Sequence, residues 1–229
     1  MLILPRLYPI LDAGFFPSTD DLLSAAGELV AGGCRLLQYR NKSGNARVML
    51  EQARALRKLF GNRDLISQGQ NPNFSQKRGE VERPLQSSVR LIMNDRADLC
   101  LAADFDGVHV GQEDLSPESV RRIIGPDRWL GVSTHNPEQL READLTPADY
   151  LAIGPVFATS SKQNPDPVVG PEGVRRGRTL TRKPLAAIGG ITRANAASVI
   201  EAGADSVAVI SDLLHDPRKS AEEFFCILR

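Results

Sequence analysis

Short apolar runs of β-type composition alternate with amphipathic stretches of helical period along nearly the whole chain, and this alternation limits the fold more than any other feature. The strand-like runs are Leu7–Leu11, Arg35–Tyr39, Val89–Met93, Gly107–Val110, Trp129–Val132, Tyr150–Ile153, Leu185–Ile188 and Ser206–Ile210. The helical stretches are Asp20–Ala31, Ala46–Phe60, Ala97–Ala103, Pro117–Ile124, Pro137–Ala143, Gly173–Thr181, Ala194–Ala202 and Pro217–Leu228. Ser116-Pro117 and Asn136-Pro137 place a capping side chain before a proline, whose missing N–H costs nothing at the first helical position. Gly61 and Gly203 follow helical runs, where the chain must accept positive φ.

Strands separated by helices run parallel with right-handed crossovers, which leaves an open doubly wound sheet or a closed (β/α)8 barrel. Eight repeats, with no Gly-x-Gly-x-x-Gly after the first strand, favour the closed TIM barrel as one domain over residues 1–229. One stretch breaks the rhythm. Residues 61–88 are rich in Gln, Asn, Ser, Pro and Gly, with no apolar period, where two to six residues would ordinarily join a helix to a strand. They read as a polar surface insertion before the third strand, on the face of a barrel away from its chemistry.

Composition narrows the function classes. The 229 residues carry 28 Lys+Arg against 28 Asp+Glu, so no global field draws the chain to nucleic acid or a membrane surface. The apolar N-terminal run is broken by Pro5 and Arg6 and is too short to span a bilayer or to serve as a signal core. The odd set Cys34, Cys100 and Cys226, without a Cys-x-x-Cys pair, excludes a disulfide framework and a zinc ribbon and suits a reducing cytoplasm. The partners expected are small molecules, and a homo-oligomer is compatible with all of this.

The unusual polar residues fall at the C-terminal ends of the strands. Strand one ends in Asp12, strand two in Gln38-Tyr39-Arg40-Asn41-Lys42, and strand three in Asn94-Asp95. Strand four leads to His109-Val110-Gly111-Gln112-Glu113-Asp114, strand five to Ser133-Thr134-His135, and strand six to Gly154-Pro155 and then Thr159-Ser160-Ser161-Lys162. Strands seven and eight end in Gly189-Gly190 and Ser211. In a barrel these ends converge on one rim. Arginines such as Arg121 and Arg175 read instead as solvated helix faces. Arg40, Lys42 and Lys162 are cations from separate loops, suited to a polyanion. Asp95 and Asp114 are placed to share a hard divalent cation with phosphate oxygens, while Gly189-Gly190 and Ser211 offer backbone to a second anion. His109, His135 and His215 are not at metal-ligand spacing and receive no catalytic role.

These segments, taken in order with Gly107–Leu115, Gly131-Val132-Ser133, Gly154–Phe157 and Ala187–Ile191, resemble the thiamine-phosphate synthase family over all eight strands. The resemblance implies a Mg²⁺-dependent transferase of thiamine biosynthesis. It joins 4-amino-2-methyl-5-hydroxymethylpyrimidine diphosphate to a thiazole phosphate and releases pyrophosphate. It implies pyrimidine diphosphate binding by Gln38, Tyr39, Arg40, Asn41, Lys42, Asn94, Ser133 and Lys162, with Arg40, Lys42 and Lys162 acting in catalysis. Asp95 and Asp114 match the metal ligands, and Thr159, Ser160, Ser161, Gly190, Ile210 and Ser211 match the thiazole phosphate site. Asn41 stands where the family commonly has an acid, and the 61–88 insertion is atypical. Two rival readings are a thiazole tautomerase-like isomerase, whose relatives generally lack both acids, and a catalytically silent ligand-binding barrel, which would not need the cations.

Overall fold

The computed structural model describes residues 2–61, 89–159 and 166–229. Eight parallel strands close into a barrel in chain order: β1 (Leu7–Asp12), β2 (Leu36–Arg40), β3 (Arg90–Asn94), β4 (Gly107–Val110), β5 (Trp129–Thr134), β6 (Tyr150–Ile153), β7 (Leu185–Ile188) and β8 (Ser206–Val209). β8 pairs back onto β1 through Leu7 and Val207, so no sheet edge remains open. The helices between them are α1 (Thr19–Ala31), α2 (Ala46–Phe60), α3 (Ala97–Ala102), α4 (Pro117–Ile124), α5 (Pro137–Asp144), α6 (Gly170–Leu180), α7 (Ala196–Glu201) and α8 (Pro217–Ile227). The expected elements are all present, five of them with the expected bounds and the rest with ends shifted by up to three residues. Gly61 and Gly203 adopt φ of +81° and +105° after their helices, as expected. The rest of the insertion, residues 62–88, lies outside the described residues.

The strand period of two divides the core into two layers. Outward side chains such as Leu37, Tyr39, Leu91, Met93, Val108 and Leu151 pack against the helices. Inward ones, including Tyr8, Ile10, Leu36, Ile92, Tyr150, Ala186 and Ala208, fill the barrel itself.

At the N-terminal end of the barrel one device recurs three times. Asp106, Asp149 and Asp205 each precede an even-numbered strand and accept the N–H of the neighbouring odd strand, from Leu91, Leu130 and Leu185. Each carboxylate also pairs with an arginine from the helix before that odd strand: Arg57 at 2.6 Å, Arg121 at 2.6 Å and Arg178 at 2.7 Å. The same arginines tie down loop carbonyls at Gly61, Gly125 and Lys183. Arg121 therefore braces the barrel rather than solvating a helix face, because its stem lies over the strand ends; Arg175, paired with Glu172, is the exposed one.

Candidate active site

The opposite end opens into a cavity of about 500 Å³. Its β2–β4 edge is charged. Arg40 reaches inward from the end of β2 and is paired with Asp12, its register partner on β1. Asp12 is itself 6% exposed and also accepts the N–H of Gly14 at 3.1 Å. Lys42 donates to Asp95 at 2.5 Å across the mouth. Asp95 is held at φ +62°, a conformation rare for a side chain with a Cβ, and its N–H bonds the His109 carbonyl at 2.8 Å. This bend brings its carboxylate beside that of Asp114, which accepts the Gly111 N–H at 2.8 Å. Burial and then the neighbouring Asp95 push the Asp114 carboxyl up, against the Gly111 N–H and the Lys42 charge.

The β7–β8 edge is built from neutral backbone. Gly189, Gly190, Ile191, Ile210 and Ser211 line it, with Thr159 nearby on the β6 loop. Gly189 and Gly190 have φ of +97° and +62° in succession. A Cβ on Gly190 would lie 2.4 Å from the Ala158 carbonyl oxygen, so the chain can turn here only without a side chain. Asp212, next to Ser211, accepts both the backbone N–H of Arg193 at 2.8 Å and its Nε at 3.0 Å, which joins the two loops of this edge.

The floor of the cavity is a chain of side-chain hydrogen bonds across the barrel. Gln38 Nε2 donates to the Tyr8 hydroxyl at 2.9 Å, which lies 2.9 Å from the Tyr150 hydroxyl. Tyr150 then meets His109 Nδ1 at 3.1 Å, and His109 Nε2 meets Ser133 Oγ at 2.8 Å. Burial lowers the His109 pKa to about 4, so the ring is neutral near pH 7, donating from one nitrogen and accepting at the other. Room for the pair depends on Gly131, where a Cβ would lie 2.3 Å from His109 Nδ1. On the β5–β6 side, His135 Nδ1 donates to the Gly154 carbonyl at 2.7 Å.

Of the residues singled out in the sequence, Gln38, Arg40, Lys42, Asn94, Asp95, Asp114, Ser133, Thr159, Gly190, Ile210 and Ser211 share this one cavity. Ser160, Ser161 and Lys162 lie outside the described residues. Tyr39 and Asn41 require a correction, because neither lines the cavity. They occupy the outward phase of the β2 alternation and bond Gln52 of α2, at 2.7 and 2.9 Å. Burial raises the Tyr39 pKa to about 12.

The family described as thiamine monophosphate synthase matches residues 80–213. The thiamine-phosphate synthase of Koribacter versatilis (strain Ellin345) is 56% identical over 230 residues, spanning 99% of this chain and 97% of the relative. The chain belongs to the thiamine monophosphate synthase family. A further thiamine-phosphate synthase, from Chloroflexus aurantiacus, is 39% identical over 90% of this chain and 83% of its own length. The solved structure of thiamine phosphate pyrophosphorylase from Pyrococcus furiosus superposes with a TM-score of 0.77 at 32% identity, covering 97% of this chain and 95% of that one.

Within this thiamine monophosphate synthase barrel, Asp12 and His109 stand among the strand-end polar residues but were given no role from the sequence, and Tyr8 and Tyr150 were missed as parts of the site. The signal was present in the alternation. Tyr8 shares an inward phase with Ile10 and Asp12 on β1, as His109 does with Gly107 on β4, and a polar group at such a position faces the cavity or the barrel core. Among the described residues, no helix is long and apolar enough to cross a membrane, and no three His, Cys, Asp or Glu side chains gather as a metal cage.

Proposed function

We propose that this cavity joins 4-amino-2-methyl-5-hydroxymethylpyrimidine diphosphate to a thiazole phosphate, releasing pyrophosphate and forming thiamine phosphate. One observation carries the reading: a cationic and acidic edge and a neutral backbone edge face each other across a single cavity. Arg40 and Lys42 are the groups we assign to the diphosphate, together with Lys162 of the β6 loop. When the methylene C–O bond breaks, its electron pair leaves on the diphosphate, and preplaced cations stabilise that charge where it develops. The electron-rich aminopyrimidine supports the resulting positive methylene carbon, so no protein nucleophile is required. Gln38, Asn94 and Ser133 hold the ring; Ser133 and Gln38 are themselves fixed by the hydrogen-bond chain on the cavity floor. We assign Gly190, Ile210, Ser211 and Thr159, with Ser160 and Ser161, to the thiazole phosphate. Anchored there, the thiazole nitrogen is brought into line with the carbon it attacks, which is a positioning task.

Asp95 and Asp114 suit Mg²⁺, since two adjoining carboxylates beside open space match a small cation that completes its shell with phosphate oxygens and water. When bound, the ion supplies further charge neutralisation to the leaving diphosphate. A thiazole isomerase has no step that uses this acid pair. The three free cysteines support a cytoplasmic setting. The deciding experiment supplies both purified substrates and follows pyrophosphate and thiamine phosphate together. Stoichiometric formation of both, dependent on Mg²⁺ and lost with chelator, is expected; consumption of the thiazole phosphate without pyrophosphate release would replace this reading with the isomerase.

A further inference from the structure

Asn195 occupies the N-cap position of α7, yet its side chain makes no capping bond. Wherever else an α-helix N-cap is Ser, Asn or Asp, it is used in the ordinary way: Ser18, Asn45, Ser116, Asn136 and Asp216 each accept the N–H three residues ahead, while Arg96 and Val169 carry no side chain that could. Asn195 forgoes that stabilisation and turns back over the loop behind it. Its Oδ1 accepts the Thr192 N–H at 2.8 Å, and its Nδ2 donates to the Gly190 carbonyl at 3.0 Å. The two bonds fix the amide orientation, because only the oxygen can serve an N–H and only the NH₂ can serve a carbonyl.

Gly189 and Gly190 can make this turn, but two glycines in succession are also the residues least able to hold one conformation unaided. A carbonyl swung toward a bound phosphate would repel it. We infer that Asn195 is a positioning residue for the β7–β8 anion edge: it clips the Gly190–Thr192 turn and keeps the Gly190 carbonyl occupied, so the turn is preorganised for the phosphate. Asn195 does not line the cavity and acts through Gly190. The inference rests on reading this edge as the thiazole phosphate site.

Asn195→Asp and Asn195→Ala test it, with Ser211→Ala as the reference for the site itself. Asn195→Asp keeps the acceptor for Thr192 and loses the donor to Gly190; Asn195→Ala loses both. Steady-state kinetics with each substrate varied in turn should show the thiazole phosphate KM raised about tenfold in both variants, the scale of one lost neutral hydrogen bond. The pyrimidine diphosphate KM and kcat should stay within about twofold, a split that general loosening of the barrel does not produce. Inorganic phosphate alone should also raise the melting temperature of the parent more than that of Asn195→Asp. If Ser211→Ala raises the thiazole phosphate KM and the Asn195 variants do not, the positioning role is wrong while the site stands. If none of the three moves that KM, the assignment of the edge is wrong. If both KM values rise equally, or neither Asn195 variant folds, Asn195 is structural and the inference falls.

Discussion

At the N-terminal end of the barrel, Arg57, Arg121 and Arg178 each close onto an aspartate whose other bonds go to strand backbone; at the C-terminal end, Arg40 and Lys42 meet Asp12 and Asp95 on the wall of an open cavity. The residue types are the same and the work differs. At the closed end, each arginine also bonds loop carbonyls and each aspartate a strand N–H, and at the innermost clamp even the unpartnered Arg57 Nε and Asp106 Oδ1 are sealed from any ligand by burial. At the open end, Lys42 is more than half exposed, and Asp95 and Asp114 crowd each other. Charged groups left with spare hydrogen-bonding capacity in a water-filled concavity are the ones a phosphate or a cation can still recruit.

The sharpest way to break this contrast is Asp106→Ala. Asp106 is 1% exposed and its partner Arg57 is 4% exposed, so the variant leaves a buried guanidinium without its counter-charge. Loss of about 3–5 kcal/mol in unfolding free energy is expected, read by denaturant titration, with KM values of the surviving folded enzyme unchanged. The half-exposed clamp at Asp205 should lose less. A catalytic defect in Asp106→Ala without a stability loss would erase the distinction between the two ends. Asp114→Asn makes the opposite prediction. Turnover should fall by at least about a hundredfold, the scale of removing one preplaced electrostatic contact in a reaction of this kind. Its melting temperature should hold or rise, since the change removes one of two adjoining carboxylates.

Much of this contrast was legible in the sequence. Eight strand-like runs alternating with eight helical ones left few topologies, and the capping residues at Ser116 and Asn136 sit where their side chains bond the third helical N–H. Rim residues from seven of the eight strands converged as expected, because strand ends are fixed once the barrel is. What failed was phase. Treating Gln38–Lys42 as one binding run ignored that alternate residues face opposite layers, so Tyr39 and Asn41 went to α2 while Gln38, Arg40 and Lys42 went to the cavity. Arg121 was read as solvating because pattern alone cannot show that a long helical side chain folds over the strand ends. His109 was set aside because its partners Tyr150 and Ser133 are 41 and 24 residues away, beyond any local motif.

The smallest expected effect concerns that histidine, which belongs to neither end: it is buried like the clamps but lies on the cavity floor. Its folded pKa, about 4, is below the ordinary 6.5, so between these values the unfolded chain binds a proton that the folded chain refuses. Stability should therefore fall as pH drops through this window and be regained as pH rises past the unfolded value. At pH 5.5 the loss attributable to this group is about 1 kcal/mol relative to pH 7.5. Carboxylates also titrate toward acid, so the slope of the parent alone does not isolate the effect. His109→Gln removes the titration while putting in its place a neutral amide able to hydrogen-bond, and its absolute stability is immaterial to the comparison. Denaturant titrations of both proteins at pH 7.5 and 5.5 should show the parent losing about 1 kcal/mol more than the variant across the interval. Equal losses would mean that His109 takes up its proton in the folded barrel as readily as in the unfolded chain. In that case the bond chain to Ser133 would carry a cation at pH 5.5, and in acid the floor of the cavity would have to be counted with Arg40 and Lys42 among the groups that face the diphosphate.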